Sequence, residues 1–353
     1  WEEEMGEILG LGVTHYPPLS GPDAQMGRIL KRVLADPALP ERYRDPSGWP
    51  EPMRREYGND EGLAAAGRHR AALVNGFRNA RRLLDEFAPD LVVIWGDDQY
   101  ENFREDVIPA FCLFAYDKME PQPWQHSHGP NVWNEASDKT FSYKGHPQAG
   151  KLLASGLLEA GFDTAYAYRP LHHQLGHAFL NTLLFLDYDR EGFPYPVLPF
   201  QINCYGRRVI AQEAGVRSLS ELPAESDLDP PSPMPWRCYD LGAAVARLCA
   251  DSPWRVALVA SSSWSHAFLT RKNHLLYPDV EADRALYRAL ESGDHAAWRE
   301  RPLAAIEDSG QQEMLNWMCL LGAMRELGRR PGESAFVESW IFNSNKCFAA
   351  FAG

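Results

Sequence analysis

Five segments of this chain carry side chains able to hold a metal or move a proton, and they lie far apart in sequence. His15 follows the apolar, Gly-punctuated run Ile8-Leu9-Gly10-Leu11-Gly12-Val13-Thr14 and precedes Tyr16-Pro17-Pro18. Asp97-Asp98-Gln99 turns out of a second apolar run. His172, His173 and His177 form a histidine-rich stretch, His266 follows Ser261-Ser262-Ser263-Trp264-Ser265, and Glu313 opens an apolar helix-forming segment. Two histidines and a carboxylate on one face of an octahedron, with the opposite positions left for substrate and O₂, is the donor set of non-haem Fe(II) oxygenases. Each group also has a plain structural reading. His15 is equally a strand-end histidine, Asp97 and Asp98 a turn pair capping backbone N–H groups, His266 a partner of its serines, and Glu313 a solvated helix carboxylate. The neighbours Met314, Leu315 and Trp317 make solvation of Glu313 less natural. His173 and His177 stand four apart, a spacing that binds zinc on a helix, although the glutamate of a metalloprotease motif is missing.

The elements that must position these groups follow from periodicity. Prolines stop the first strand after Thr14, which puts His15 at the C-terminal edge of a sheet, where α/β folds bind ligands. Helical spacing runs from Gly62 to Phe87, followed by a break at Pro89-Asp90 and a strand over Leu91–Trp95. Further strands are expected over 108–116, 164–168, 196–202 and 255–260, and helices over 145–160, 178–186, 241–250 and 312–327. His146 falls in the first turn of one helix. Residues 121–142 read as a long loop, with His126 and His128 in a lid or at the surface. Residues 217–236 read as a surface excursion, and the C-terminal third as largely helical. The alternation predicts one α/β domain over 1–353, with a central, mainly parallel or mixed sheet flanked by helices.

Composition narrows the function classes. The 353 residues carry 35 basic and 48 acidic side chains, a net charge of −13, which argues against nucleic acid as a partner. No apolar run approaches the roughly 18 residues of a membrane span. The acidic start Trp1-Glu2-Glu3-Glu4 does not read as a signal peptide. Six scattered cysteines without CxxC spacing suggest reduced thiols in a cytoplasmic protein, with Cys112 and Cys319 in the core.

Several motifs, in order, resemble one family. Gly12-Val13-Thr14-His15-Tyr16-Pro17 resembles its opening strand and first iron-ligand histidine. Pro89-Asp90-Leu91-Val92-Val93 is similar to its "PDVVV" strand, and Ile108-Pro109-Ala110-Phe111 to "IPTF". Lys144-Gly145-His146-Pro147 matches "KGHP", Pro199-Phe200-Gln201-Ile202-Asn203 resembles "PFPVNV", and Trp264-Ser265-His266 resembles "MSH". Glu313 stands three residues before Asn316-Trp317, as the family's glutamate stands before its "MW". The family is the class III extradiol ring-cleavage dioxygenases of the LigB type, the type of the protocatechuate 4,5-dioxygenase beta subunit.

The resemblance implies the LigB-type fold, Fe(II), a catecholic or related aromatic substrate and O₂. It implies metal ligation by His15, Gln99 and Glu313, acid–base chemistry by His266 and support by His173. It also suggests a homo-oligomer and allows a small partner subunit. One departure stands out. The family's second ligand lies in "NDHA", where this chain has Asp97-Asp98-Gln99-Tyr100, so Gln99 replaces a histidine. An amide oxygen is the weaker donor to Fe(II), which leaves Asp98 as an alternative ligand. It also leaves open a non-ring-cleaving metal-dependent oxygenase or hydrolase, or a metal-free binding protein, on the same scaffold. Stretches near 22–60 and 205–236 exceed the family pattern.

Overall fold

The computed structural model of the protein describes residues 6–125 and 129–352. The readings at Trp1–Glu4 and at His126 and His128 lie outside these. In chain order the strands are β1 (Ile8–Val13), β2 (Leu91–Gly96), β3 (Phe111–Phe114), β4 (Lys118–Met119), β5 (Tyr143–Lys144), β6 (Ala165–Ala167), β7 (Val197–Ile202), β8 (Val256–Ser261), β9 (Glu333–Val337) and β10 (Lys346–Phe351). β4 and β5 pair with each other, and the other eight form one mixed sheet in the order β6-β3-β7-β2-β8-β1-β10-β9. The four central strands, β7-β2-β8-β1, run parallel. Their ends are level: Val13 lies opposite Ser261, Trp95 opposite Ala260 and Gly96 opposite Gln201. Whatever follows each of them therefore emerges at one edge.

Strand alternation sends side chains to two cores. Leu9, Leu11, Val13, Val92, Ile94, Ala257 and Val259 face helices Leu63–Phe87 and His177–Leu186. Ile8, Leu91, Val93, Trp95, Leu258 and Ala260 face helices Pro147–Glu159, Pro235–Ala250 and Met314–Glu326. The last of these is buried from Met314 to Met324 on all sides, as a central helix must be. It can lie this close because Gly12 has no Cβ: one there would strike the Trp317 ring. Gly242 and Gly322 likewise let helices Pro235–Ala250 and Met314–Glu326 meet backbone to backbone, since a Cβ on either would strike the other's carbonyl. The position of Glu313, directly before this helix, depends on those contacts.

The expected helices and strands are present, most within a few residues of their expected bounds. Helix Pro235–Ala250 begins six residues earlier than periodicity suggests, because Pro235 is suited to the first helical turn. The C-terminal segment differs more. β9 and β10 close the sheet as antiparallel strands beside β1. Segment 22–60 is not wholly peripheral either, since Leu30, Val33, Trp49 and Met53 are buried in the core beneath β1. His146 caps its helix, its Nδ1 accepting from Ala149 N at 3.1 Å. All six cysteines are buried and unpaired. Among the described residues no helix is long and apolar enough to cross a membrane.

Candidate metal centre

The four parallel strands deliver a cluster of polar side chains to their C-terminal edge. β1 supplies His15, β2 supplies Asp97 and Gln99, β7 leads to Tyr205, and β8 leads through three serines to His266. Glu313 enters from the turn before helix Met314–Glu326, and His177 is the first residue of helix His177–Leu186. His15, Asp97 and Glu313 are almost completely removed from water.

His15 Nδ1 lies 3.1 Å from Ser261 Oγ. With that nitrogen donating to the serine, Nε2 keeps its lone pair. It faces Glu313 Oε2 at 3.4 Å and Asp97 Oδ1 at 3.7 Å. Ligand atoms of His15, Asp97 and His177 all lie within 4.8 Å of one another. Asp97 Oδ1 has no hydrogen-bond partner despite full burial. Three electron-pair donors thus converge on one point in a water-poor site. This donor set suits a cation, and Asp97 Oδ1 is the atom that lacks any other use.

The surrounding groups orient the donors. Glu313 Oε1 accepts from Tyr205 OH at 2.9 Å and from Gln99 Nε2 at 3.2 Å, while Oε2 accepts from Ser263 N at 3.0 Å. Ser262 Oγ donates to the Glu313 carbonyl at 2.7 Å. Gln99 Nε2 also donates to Asp97 Oδ2 at 3.3 Å and meets Tyr205 OH at 2.5 Å. His266 Nε2 lies 3.2 Å from Glu313 Oε1, and its Nδ1 has no partner. His177 is held by Glu101, through its backbone N at 2.7 Å and its Nδ1 at 3.0 Å.

Burial and neighbouring charge set the proton affinities. Burial lowers His15 to about 4, although Asp97 pulls the other way, so its imidazole is neutral at neutral pH. Asp97 is raised to about 7, first by burial and then by the Glu313 carboxylate. Burial lowers His266 as well, against the pull of Glu313. His177 goes the other way: burial disfavours its charge, but Glu101 and then Asp97 and Glu313 lift it to about 10.

The structure therefore brings His15, Gln99, Glu313 and His266 together and adds three residues that sequence reasoning did not assign there. Asp97 faces the cluster, whereas the Asp98 carboxylate takes the backbone N–H groups of Glu101, Asn102 and Phe103 at 2.9–3.2 Å, a turn-capping role. Strand alternation across β2 is the signal that separates the two. His177 faces the cluster while His173, four residues earlier, lies exposed with its ring 3.4 Å from Arg104 Nη2. His172 is likewise at the surface, beside Asp106 at 3.0 Å. Tyr205 had no signal beyond its place after a strand.

Known proteins give a consistent likeness. Residues 228–349 match the family described as the catalytic LigB subunit of aromatic ring-opening dioxygenase, a stretch that includes His266 and Glu313. A 2,3-dihydroxyphenylpropionate/2,3-dihydroxicinnamic acid 1,2-dioxygenase of Photorhabdus laumondii is 24% identical over 258 residues, 69% of this chain and 68% of that protein. A protein of the same name from Comamonas testosteroni is 28% identical over 192 residues, 53% of this chain and 46% of that one. A third, from Klebsiella pneumoniae, is 31% identical over 127 residues, 35% of this chain and 34% of the relative. The match to the second and third thus spans less than half of each relative's length. Fold, strand-edge cluster and these likenesses agree: residues 228–349 carry a LigB-type domain, and the chain is similar to extradiol dioxygenases over most of its length.

Proposed function

We propose that this protein opens the aromatic ring of a catecholic substrate with O₂, using Fe(II) held by His15, Glu313 and the Asp97–Gln99 turn. The observation that carries the proposal is the convergence of His15 Nε2, Glu313 Oε2 and the unpartnered Asp97 Oδ1 in a buried site. The relatives' names support the substrate class, a 2,3-dihydroxyphenyl ring bearing a three-carbon acid. Gln99 joins the site through its amide, whose Nε2 holds the Glu313 and Asp97 carboxylates and whose oxygen is the group offered to the metal.

Fe(II), held by His15, Glu313 and the Asp97–Gln99 turn, would supply Lewis-acid and one-electron redox chemistry for the reaction with O₂. The protein's own groups manage everything else. His266, neutral at neutral pH and with Nδ1 free, takes the proton of a substrate hydroxyl, while Glu313 fixes its Nε2 side. Tyr205 and Ser263 hold the Glu313 carboxylate in one orientation, which keeps the donor atoms preorganised. His177, kept protonated by Glu101, offers a positive group near the substrate and serves as the second histidine of the proton relay. His173, at the surface beside Arg104, supports this region from outside the cluster. The dry setting strengthens each of these interactions and keeps water from competing.

The test is metal analysis of anaerobically purified protein, followed by a catechol panel, O₂ uptake and a search for yellow ring-opened products. His15→Ala removes iron and activity together if the proposal holds. Full iron occupancy in that variant sinks the assignment. A second reading is favoured by one observation: the grouping His15–Asp97–His177 offers two imidazoles and a carboxylate without the amide. That set also suits a hydrolytic zinc centre. Zinc in the purified protein, with no O₂ uptake on any catechol, selects it.

A further inference from the structure

A cavity borders the cluster. It has a volume of about 420 Å³ and is lined by Tyr205, Arg207, Arg208, Arg271, Glu307 and Gln312, among others. Tyr205 belongs to both places: it lines this cavity, and its hydroxyl lies 2.9 Å from Glu313 Oε1. Gln312 is the residue directly before Glu313. It is 2% exposed, and neither its Nε2 nor its Oε1 has a hydrogen-bond partner. A buried primary amide with no partner on either end is costly, and such groups mark places where a ligand supplies the partner.

The charges of this cavity are unevenly matched. Arg207 engages Glu307 at 3.3 Å, and the Asp308 carboxylate at the rim is taken by Lys272 at 2.5 Å. Arg208 bonds only a neutral amide oxygen, that of Gln212 at 3.0 Å, and Arg271 a backbone carbonyl, that of Pro223 at 3.0 Å. Among the described residues neither guanidinium has a carboxylate at salt-bridge distance. The two also feel each other. Burial first, and then the charge of Arg271, lowers Arg208 from its usual range, with Glu307 and the exposed Glu225 pulling the other way. A guanidinium fork matches a carboxylate bidentately, and two such forks lining one cavity make a site for a single anionic group.

We infer that this cavity receives the carboxylate tail of the substrate, held by Arg208 and Arg271 with Gln312 hydrogen-bonding to the tail. The inference rests on the ring-opening proposal for its account of the ring, but not for its account of the tail. It assigns the choice among catechols to a negatively charged side chain. Tyr205, which lies between the two places, orients the molecule along the line from tail to ring.

The test separates the two claims by using probes that no dioxygenase can open. Binding of 3-phenylpropanoate and of its uncharged analogue 3-phenylpropanamide is measured by calorimetry on the purified protein without O₂. The expected result is that the acid binds about ten- to a hundredfold more tightly, the usual worth of hydrogen bonds to a charged group. Arg208→Gln and Arg271→Gln each remove most of that difference, and the advantage shrinks with added salt. Gln312→Leu, close in volume, weakens acid binding while leaving the melting temperature unchanged or higher. This variant keeps the test decisive if an arginine variant folds poorly. Equal binding of acid and amide, no binding of the acid, or charge discrimination that survives both arginine substitutions overturns the inference. Ring opening that ignores the carboxylate leaves the function standing and removes the tail site. Charge-selective binding without ring opening does the reverse.

Discussion

Two sites built on fully buried carboxylates are treated in opposite ways. Asp283, on helix Val280–Ser292, accepts from Ser265 N at 3.1 Å, from Gln311 Nε2 at 2.6 Å and from Asn345 Nδ2 at 2.8 Å. Its donors are neutral and come from three segments: the loop after β8, the turn before Glu313 and the loop before β10. At the strand-edge cluster, Glu313 shares its space with Asp97, two imidazoles and an amide, and one Asp97 oxygen is bare. The first carboxylate ties loops together with its hydrogen bonding complete. The second group is incomplete in its own protein. That difference, not burial, separates a structural acid from one kept for a ligand.

The sharpest way to break the comparison is Glu313→Gln. Turnover falls to background and iron is lost, while the unfolding midpoint holds or rises, because two crowded carboxylates become one. Undiminished iron content, measured by elemental analysis, would erase the distinction. His266→Ala is expected to retain iron but to lose turnover by roughly 10²–10⁴-fold, the range for a general acid–base group. Loss of iron in that variant makes His266 a ligand.

Asp283→Ala gives the mirror image. Three buried donors lose their acceptor, and stability drops by about 3 kcal/mol or more in denaturant titration, while the iron-to-protein ratio of the folded fraction is kept. Gln99→His should tighten Fe(II) by roughly tenfold, because imidazole is the better donor. Competition with a coloured chelator reads this, and an unchanged affinity places Gln99 outside the ligand set.

The smallest effect is a slope. Burial raises Asp283 to about 7, outweighing the donors that favour its charge. The folded state therefore holds a proton that the unfolded chain has released. Stability from this group is full below the unfolded carboxylate pKa and declines as pH rises towards 7, by at most about 1.4 kcal/mol per unit. Asp283→Asn should lose that slope between pH 5 and 7, and an identical slope in both proteins refutes it.

Much of this was legible before the fold. The run ending at Thr14 and stopped by Pro17 places His15 at a sheet edge, and level parallel strands do the same for the β2 turn and for His266. What local pattern could not decide was which of two adjacent groups turns inward. Strand parity separates Asp97 from Asp98 but does not say which parity faces the site, and the cap that occupies Asp98 forms three to five residues further on. His173 and His177 are separated by a helix start that Gly176 and Glu101 define together. β10 escaped notice because Lys346–Phe351 is a strand only beside β1, from which it lies more than 330 residues away. Such pairing has no local signature.

That same pairing orders events in time. β1 is flanked by β8 and β10, and both lie beyond residue 255. While the chain is being made, at about 5–20 residues per second, the first strand has no neighbour to join for roughly ten seconds or more. His15 meets Glu313 only after some three hundred residues have followed it. The cluster therefore forms late: it needs β1, β2, β7 and β8 side by side and Glu313 in place, and only β9 and β10 of the large sheet remain to be added after it.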